Sequence, residues 1–323
     1  MPGGGAEREP GQGAASRVAV IDIGTNSTRL LVTDVTDGHV QELDRRTRVT
    51  RLGRGVDLSG NLATEAIEAV CEVIAEYMAA YERLDVTAVT AIATSAVRDA
   101  SNGEAFIAEL RERFALTARI LDGEEEALLT YRGATAEDPP PQPVVVIDIG
   151  GGSTELIVGT GAEVEFQTSL QAGVVRQTER HLASDPPAPA ELEELAGDVL
   201  GLISAALASH PAVYAESGIA VAGTPTSLAA IDQRLDPYDP QRVHGYRLSL
   251  DSIQHMLSQL ASLPLAERRE VTGLDPDRAP TIVAGVVILI EAMRAFELTE
   301  VKASEHDILH GAAIEASQAR NPK

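Results

Sequence analysis

The sequence predicts a two-domain protein of mixed α/β class. Its 323 residues suffice for two ordinary domains, each with its own core. One motif also occurs twice: Val18 to Leu31 reads VAVIDIGTNSTRLL, and Val145 to Ile157 reads VVIDIGGGSTELI. Around each copy, apolar runs of strand length alternate with runs of helical spacing.

Each copy begins with an apolar run ending in Asp, passes through a turn rich in Gly, Ser and Thr, and resumes as an apolar strand, which is a β-hairpin pattern. Glycines let backbone N–H groups point inward, and the hydroxyls of Thr25, Ser27, Ser153 and Thr154 add donors for anionic oxygens. Two such turns suggest a phosphate-gripping site shared between two lobes; a plain Asp-rich turn is the alternative for either copy alone.

In chain order, residues 1–16 are glycine-rich and aperiodic, a disordered tail. Residues 17–135 form the first domain: a hairpin over Val18 to Val35, a strand from Val40 to Arg51, a helix from Thr64 to Tyr81 and a strand from Asp85 to Ala93. Ser101 or Asn102 is placed to cap a helix over Glu104 to Phe114, and Thr94, Ser95 and Arg98 fall in a loop at a strand's C-terminal end, where α/β folds place ligand contacts. The segment from Ile120 to Gly133, ILDGEEEALLTYRG, reads as a short strand, a turn at Asp122 and Gly123, and a helix with Glu124, Glu125 and Glu126 in its first turn. Carboxylates are favoured at a helix N-terminus, so capping alone is an alternative account of them.

Ala136 to Pro143, AEDPPPQP, is a linker. The second domain spans residues 144–315, with strands at Val144, Val164 to Ser169 and Ile219 to Ala222, and helices over Ala190 to Ser209 and Ser227 to Arg234. Gly223 and Thr224 lie in a strand-to-helix turn that can hug a phosphate or simply start the helix. Leu250 to Ala312 is expected to be mainly helical, and residues 316–323 to be a tail.

The formal net charge of -23 disfavours nucleic acid and anionic membranes as partners. The apolar run Ile282 to Ile290 is too short to cross a bilayer. A single cysteine, Cys71, excludes a disulfide scaffold, and with no secretory segment the expectation is a reduced, cytoplasmic protein. A local positive field is offered by Arg45, Arg46, Arg48, Arg51 and Arg54, although a solvated strand face with balancing charge fits them equally. His306 and His310, four apart, can meet on one helix face, but a metal site there needs further ligands.

The segments DIGTNSTRLL, ATSAVRDASN, ILDGEEEALLTYRG, DIGGGSTELI, GVVRQTER, AGTPTSL and SEHDILHGAA, in this order, resemble the exopolyphosphatase and guanosine pentaphosphate phosphatase family over Arg17 to about Glu315. The ending SEHDILHG looks like actinobacterial members. The resemblance implies two ribonuclease-H-like domains of the actin, Hsp70 and sugar-kinase superfamily with the active site in the interdomain cleft, in a short form without an extra helical domain. It further implies hydrolysis of terminal phosphoanhydride bonds of inorganic polyphosphate, with short chains favoured. Guanosine pentaphosphate is the rival substrate, and homodimer formation is a further expectation.

Carried over residue by residue, the resemblance assigns the base to Glu125, with Glu124 and Glu126 as rivals for the register, and makes Asp148 and Glu155 catalytic. It places Mg²⁺, with Mn²⁺ as the alternative, on Asp22, Asp148 and Glu155. Phosphoryl oxygens fall to Thr25, Asn26, Ser27, Arg98, Gly151, Gly152, Ser153, Gly223 and Thr224. Asp122 stands where the family pattern has Ser, which adds negative charge near the site. A sugar-kinase-like phosphotransferase and a non-catalytic polyphosphate or nucleotide sensor are the competing classes.

Overall fold

The structure, a computed structural model, describes residues 16–320. The first sheet is built from β1 (Ser16–Ile23), β2 (Ser27–Thr36), β3 (His39–Val49), β4 (Ala88–Ala93) and β5 (Ala118–Ile120), in the order β3-β2-β1-β4-β5. The second comprises β6 (Val144–Ile149), β7 (Thr154–Thr160), β8 (Glu163–Leu170), β9 (Ser217–Val221), β10 (Arg247–Ser249) and β11 (Glu300–Ala303), in the order β10-β11-β9-β6-β7-β8. In both sheets an antiparallel three-strand meander is followed by parallel partners, the ribonuclease-H-like arrangement.

The repeat seen in the sequence is exact enough to keep its irregularities. β2 slips register against β3 at Val32/Thr33, and β7 slips against β8 at Val158/Gly159, the equivalent point of the second copy. β1 and β6, covered on both faces, read as continuous apolar runs and are buried almost throughout.

The helices Thr64–Tyr81 and Gly103–Phe114 cover one face of the first sheet, packing Ile74, Tyr77, Phe106 and Leu110 onto Ile21, Leu30 and Ala91. On the second sheet, Pro189–Ala208, Leu250–Ser262 and Ile282–Ala295, apolar from Ile282 to Ile290, do the same. Two helices fill the space between the sheets. Gly123–Thr135 lays Ala127 and Tyr131 on the second sheet, against Val144, Val146 and Ile157. Ile308–Arg320 lays Leu309, Ala312 and Ala313 on the first, against Val18, Val20 and Leu31.

These two helices meet without side chains between them. A Cβ on Gly133 would lie 1.9 Å from the Asp307 carbonyl oxygen, and one on Gly311 would lie 1.9 Å from that of Leu129.

Several expected boundaries shift. The final helix returns to the first sheet and runs to Arg320, so residues 144–315 do not pack as one block and 316–320 are not a tail, because Ile308 and Leu309 bury against β1 and β2. The expected strand at Ile219 to Ala222 ends at Val221, the helix after it begins at Gly223, and the expected helical C-terminal stretch contains β10's partner β11. Asn102 precedes the helix Gly103–Phe114, but its side chain accepts from the Leu62 amide instead of capping. The expected tail over 1–16 lies outside the described residues except for Ser16, which opens β1.

Gly311→Val and Gly133→Val should each lower unfolding stability by about 3 kcal/mol or more, because overpacking at a backbone contact forces the helices apart. Gly201→Ala, on an exposed helix position with open space around it, should leave stability unchanged or raise it by up to about 1 kcal/mol. Chemical denaturation of the three variants checks both.

Candidate active site

The two glycine turns meet across a cleft between the sheets. A Cβ on Gly151 would stand 2.8 Å from Thr25 Cβ, and one on Gly152 would stand 2.4 Å from Ser95 Oγ. The hairpin repeat thus brings the end of β1 against the end of β6. The compartment they close has a volume of about 100 Å³, and Asp22, Thr25, Asn26, Ser27, Gly151, Gly152, Ser153, Asp148, Gly223 and Thr224 all line it. Thr154, expected to offer its hydroxyl, donates it to the Ala172 carbonyl at 2.6 Å instead.

The glutamate run resolves differently from expectation. Asp122 is the N-cap of the helix Gly123–Thr135; its carboxylate accepts from the amides of Glu124 and Glu125, and Glu125 Oε2 accepts from the Asp122 amide at 3.1 Å. This reciprocal capping box, with an ion pair to Arg119 at 3.2 Å, turns Glu125 out of the cleft. Glu126 is the glutamate that enters it, and it is buried. The departure at Asp122 is thereby explained, since the residue satisfies a helix end.

Arg98 also stands elsewhere than expected. Its guanidinium donates to Glu126 Oε2 at 3.0 Å and to the Leu121 carbonyl at 2.8 Å, so it holds the buried carboxylate and does not line the compartment. Burial is the main cause that pushes Glu126 up to about 7, with Asp148 and Asp22 adding repulsion, while Arg98 opposes the rise.

Two cations that sequence inspection missed complete the site. Arg29 lies opposite Asp22 in the β1–β2 ladder and binds it at 2.7 Å; its other arm binds the buried Asp307. In the second copy the equivalent ladder pair is Asp148 and Glu155. The repeat therefore places an ion pair in one lobe and two carboxylates in the other.

Glu155 is fully buried; Oε1 accepts from Ser169 at 2.7 Å and Oε2 has no hydrogen-bond partner, as is true of Asp22 Oδ1. Burial raises Glu155 well above its ordinary range and Asp148 to about 6, with like charges adding in both. Carboxylates crowded in this way, with orphaned oxygens, suit a hard divalent cation, which takes oxygen ligands. Asp22 and Asp148 line the cleft and Glu155 lies behind it; Arg29 pairs with Asp22 Oδ2 and leaves Oδ1 without a hydrogen-bond partner among the described residues.

Arg278 is the second missed cation. Its guanidinium makes no hydrogen bond or ion pair among the described residues and packs so closely over Gly223 that a Cβ there would coincide with Nη1. It lines the small compartment and also a neighbouring cavity of about 710 Å³. Beside it, Ala222 holds φ 69° and ψ -164°, a region almost confined to glycine, and turns the chain so that the helix Gly223–Asp232 points its N-terminus into the cleft. Of the arginines in the β3 segment, Arg45 reaches the larger cavity; Arg46, Arg48 and Arg51 are paired with Asp44, Glu76 and Asp277, the balancing-charge arrangement.

A carboxyl whose folded-state pKa is raised contributes stability that is complete below its unfolded pKa and is lost as pH climbs through the folded one. Metal-free protein should therefore lose melting temperature between about pH 4.5 and 7 on account of Glu126. Glu126→Gln should flatten that slope in melts at stepped pH, and an unchanged slope would contradict the assignment.

No helix among the described residues is long and apolar enough to cross a membrane. The profile of the Ppx/GppA phosphatase family matches residues 31–318. The chain is 35% identical to Exopolyphosphatase 2 of Mycobacterium tuberculosis, over 93% of this chain and 98% of that one. It is 30% identical to Exopolyphosphatase 1 of the same organism, over 88% and 84%. The crystal structure of the Aquifex aeolicus Ppx/GppA family member superposes with a TM-score of 0.81 at 30% identity, covering 96% of this chain and all of that one. With the family profile and relatives of this kind matching nearly its whole length, the chain belongs to the Ppx/GppA phosphatase family.

Proposed function

We propose that the protein is an exopolyphosphatase that releases terminal orthophosphate from inorganic polyphosphate. The carrying observation is a small compartment, closed by two glycine turns around a buried glutamate, that shares Arg278, unpaired among the described residues, with a larger neighbouring cavity. One terminal phosphoryl group occupies the small space, and the remaining chain runs over Arg278 into the larger one. The names of the mycobacterial relatives support the same reading.

Glu126 Oε1 or Oε2 takes a proton from a water aimed at the terminal phosphorus. As the new P–O bond forms, the bridging P–O bond breaks, and its electron pair leaves with the shortened chain. A base poised near neutrality suits this transfer, and Arg98 acts as a positioning residue that fixes the carboxylate. Amides of the Asn26 and Gly151 to Ser153 turns, with the N-terminus at Gly223 and Thr224, receive the equatorial oxygens. Mg²⁺, or Mn²⁺ in its place, would be held by Asp22 and Asp148 with Glu155 behind them and would supply charge neutralisation at those oxygens. An anion is thus bound by a strongly acidic chain through amides and the half-buried Arg278 guanidinium.

Phosphate release from defined short and long polyphosphates and from guanosine pentaphosphate, with and without Mg²⁺, tests the reading; higher kcat/KM on the nucleotide would overturn it. Arg278→Ala should lower kcat/KM on polyphosphate about ten- to hundred-fold, the scale of a lost charge-assisted contact. Gly223→Ala should reproduce much of that loss by displacing the guanidinium, as steady-state kinetics of the two variants will show.

A further inference from the structure

The chain passes between the two sheets twice. It crosses from the first to the second through residues 136–143, and returns from β11 to the final helix through residues 304–307. Where the two crossings lie beside each other, three residues that line neither cavity of the cleft converge: Glu137 from the first, His306 from the second and His244 from the loop before β10. One ligand atom from each lies within 4.8 Å of the other two.

We propose that Glu137, His244 and His306 form a binding site for a divalent cation of the zinc class, separate from the phosphate cleft, that fastens one crossing to the other. Two imidazoles and one carboxylate match a borderline transition metal, whereas Mg²⁺ takes oxygen ligands and belongs with Asp22, Asp148 and Glu155. Three protein ligands leave one tetrahedral position for water.

The surroundings prepare the ligands. The His306 ring is stacked between His244 and His310, with ring centroids 4.3 Å away on each side. His306 and His244 are both half-buried, and His244 Nδ1 accepts from the Glu305 amide at 3.3 Å, which fixes the ring's orientation. The second crossing is braced, since Ser304 Oγ donates to the His306 carbonyl and the His306 amide donates to Ser304 Oγ, each at 3.0 Å. At the far end of the ring column, His310 Nε2 lies 3.1 Å from Glu42 Oε1 on the first sheet. His306 Nδ1 and Glu137 Oε2 are 3.6 Å apart, a separation that two donors ~2.0–2.1 Å from one metal can span.

The test is a Zn²⁺ titration of the full chain, stripped of metal and then saturated with Mg²⁺ to fill the cleft, against a chromogenic zinc chelator. One Zn²⁺ per chain is expected, with affinity reduced at least tenfold in His306→Gln and in Glu137→Gln and unchanged in His255→Gln, a histidine on an outer helix. Melting temperature should rise with Zn²⁺ in the parent protein and not in His306→Gln; because Glu137 is exposed, Glu137→Gln serves if the histidine variant fails to fold. Co²⁺ should give tetrahedral absorption in the visible range. Absence of Zn²⁺ binding under Mg²⁺, or binding equal in the parent, His306→Gln and Glu137→Gln proteins, would overturn the site while leaving the hydrolase reading untouched.

Discussion

The structure depends on two helices touching backbone to backbone. Gly133 and Gly311 let Gly123–Thr135 and Ile308–Arg320 cross with no side chain between them, so both fit in the space between the sheets. Their separation fixes the separation of the sheets. It also fixes chemistry, because Glu126 and Thr130 ride on one helix and Asp307 sits at the start of the other. Thr130 donates to Asp148 at 3.0 Å and Asp307 holds Arg29, so each helix orients the carboxylate at the end of one central strand. Any larger residue at the crossing would move Glu126, Thr130 and Asp307 together.

The cleft is the place where an internal repeat stops being symmetric. The hairpins share their turns and even their register slips, yet the ladder partner of the strand-end Asp is Arg29 in one and Glu155 in the other. That single difference gives one lobe a guanidinium between Asp22 and Asp307 and the other a concentration of buried carboxylate. Desolvation then raises Asp148, Glu155 and Glu126 together, an arrangement costly to leave uncompensated and suited to a cation and a proton in transit. Ion pairs such as Arg180 to Asp57 at 2.7 Å and Arg51 to Asp277 at 2.9 Å join residues of the two lobes.

Local patterns made much of this legible. The doubled hairpins, the helix over Thr64 to Tyr81 and the turn at Asp122 follow from periodicity and turn chemistry, and the motif series carried the family resemblance. What failed needed information from distant parts of the chain. Three successive glutamates present no periodicity of their own, although the spacing from Asp122 to Glu125 is that of a capping box and could have removed Glu125 from contention. Arg98 looked like a ligand contact until its partner, 28 positions on, was placed beside it. Arg29 and Arg278 gave no signal at all: one is defined by a strand register and the other by the absence of a partner. The last helix read as part of the second domain because nothing local tells which sheet an apolar helix face will meet.

The central claim is that Glu126, held by Arg98, is the base that activates water in the cleft. Its most direct test compares Glu126→Gln with Glu125→Gln for phosphate release from polyphosphate in Mg²⁺, with circular dichroism confirming both folds. Loss of about 10²- to 10⁴-fold in kcat for Glu126→Gln, with Glu125→Gln within a few fold of the parent, is the predicted result. The reverse ranking, or equal modest losses in both, would contradict it.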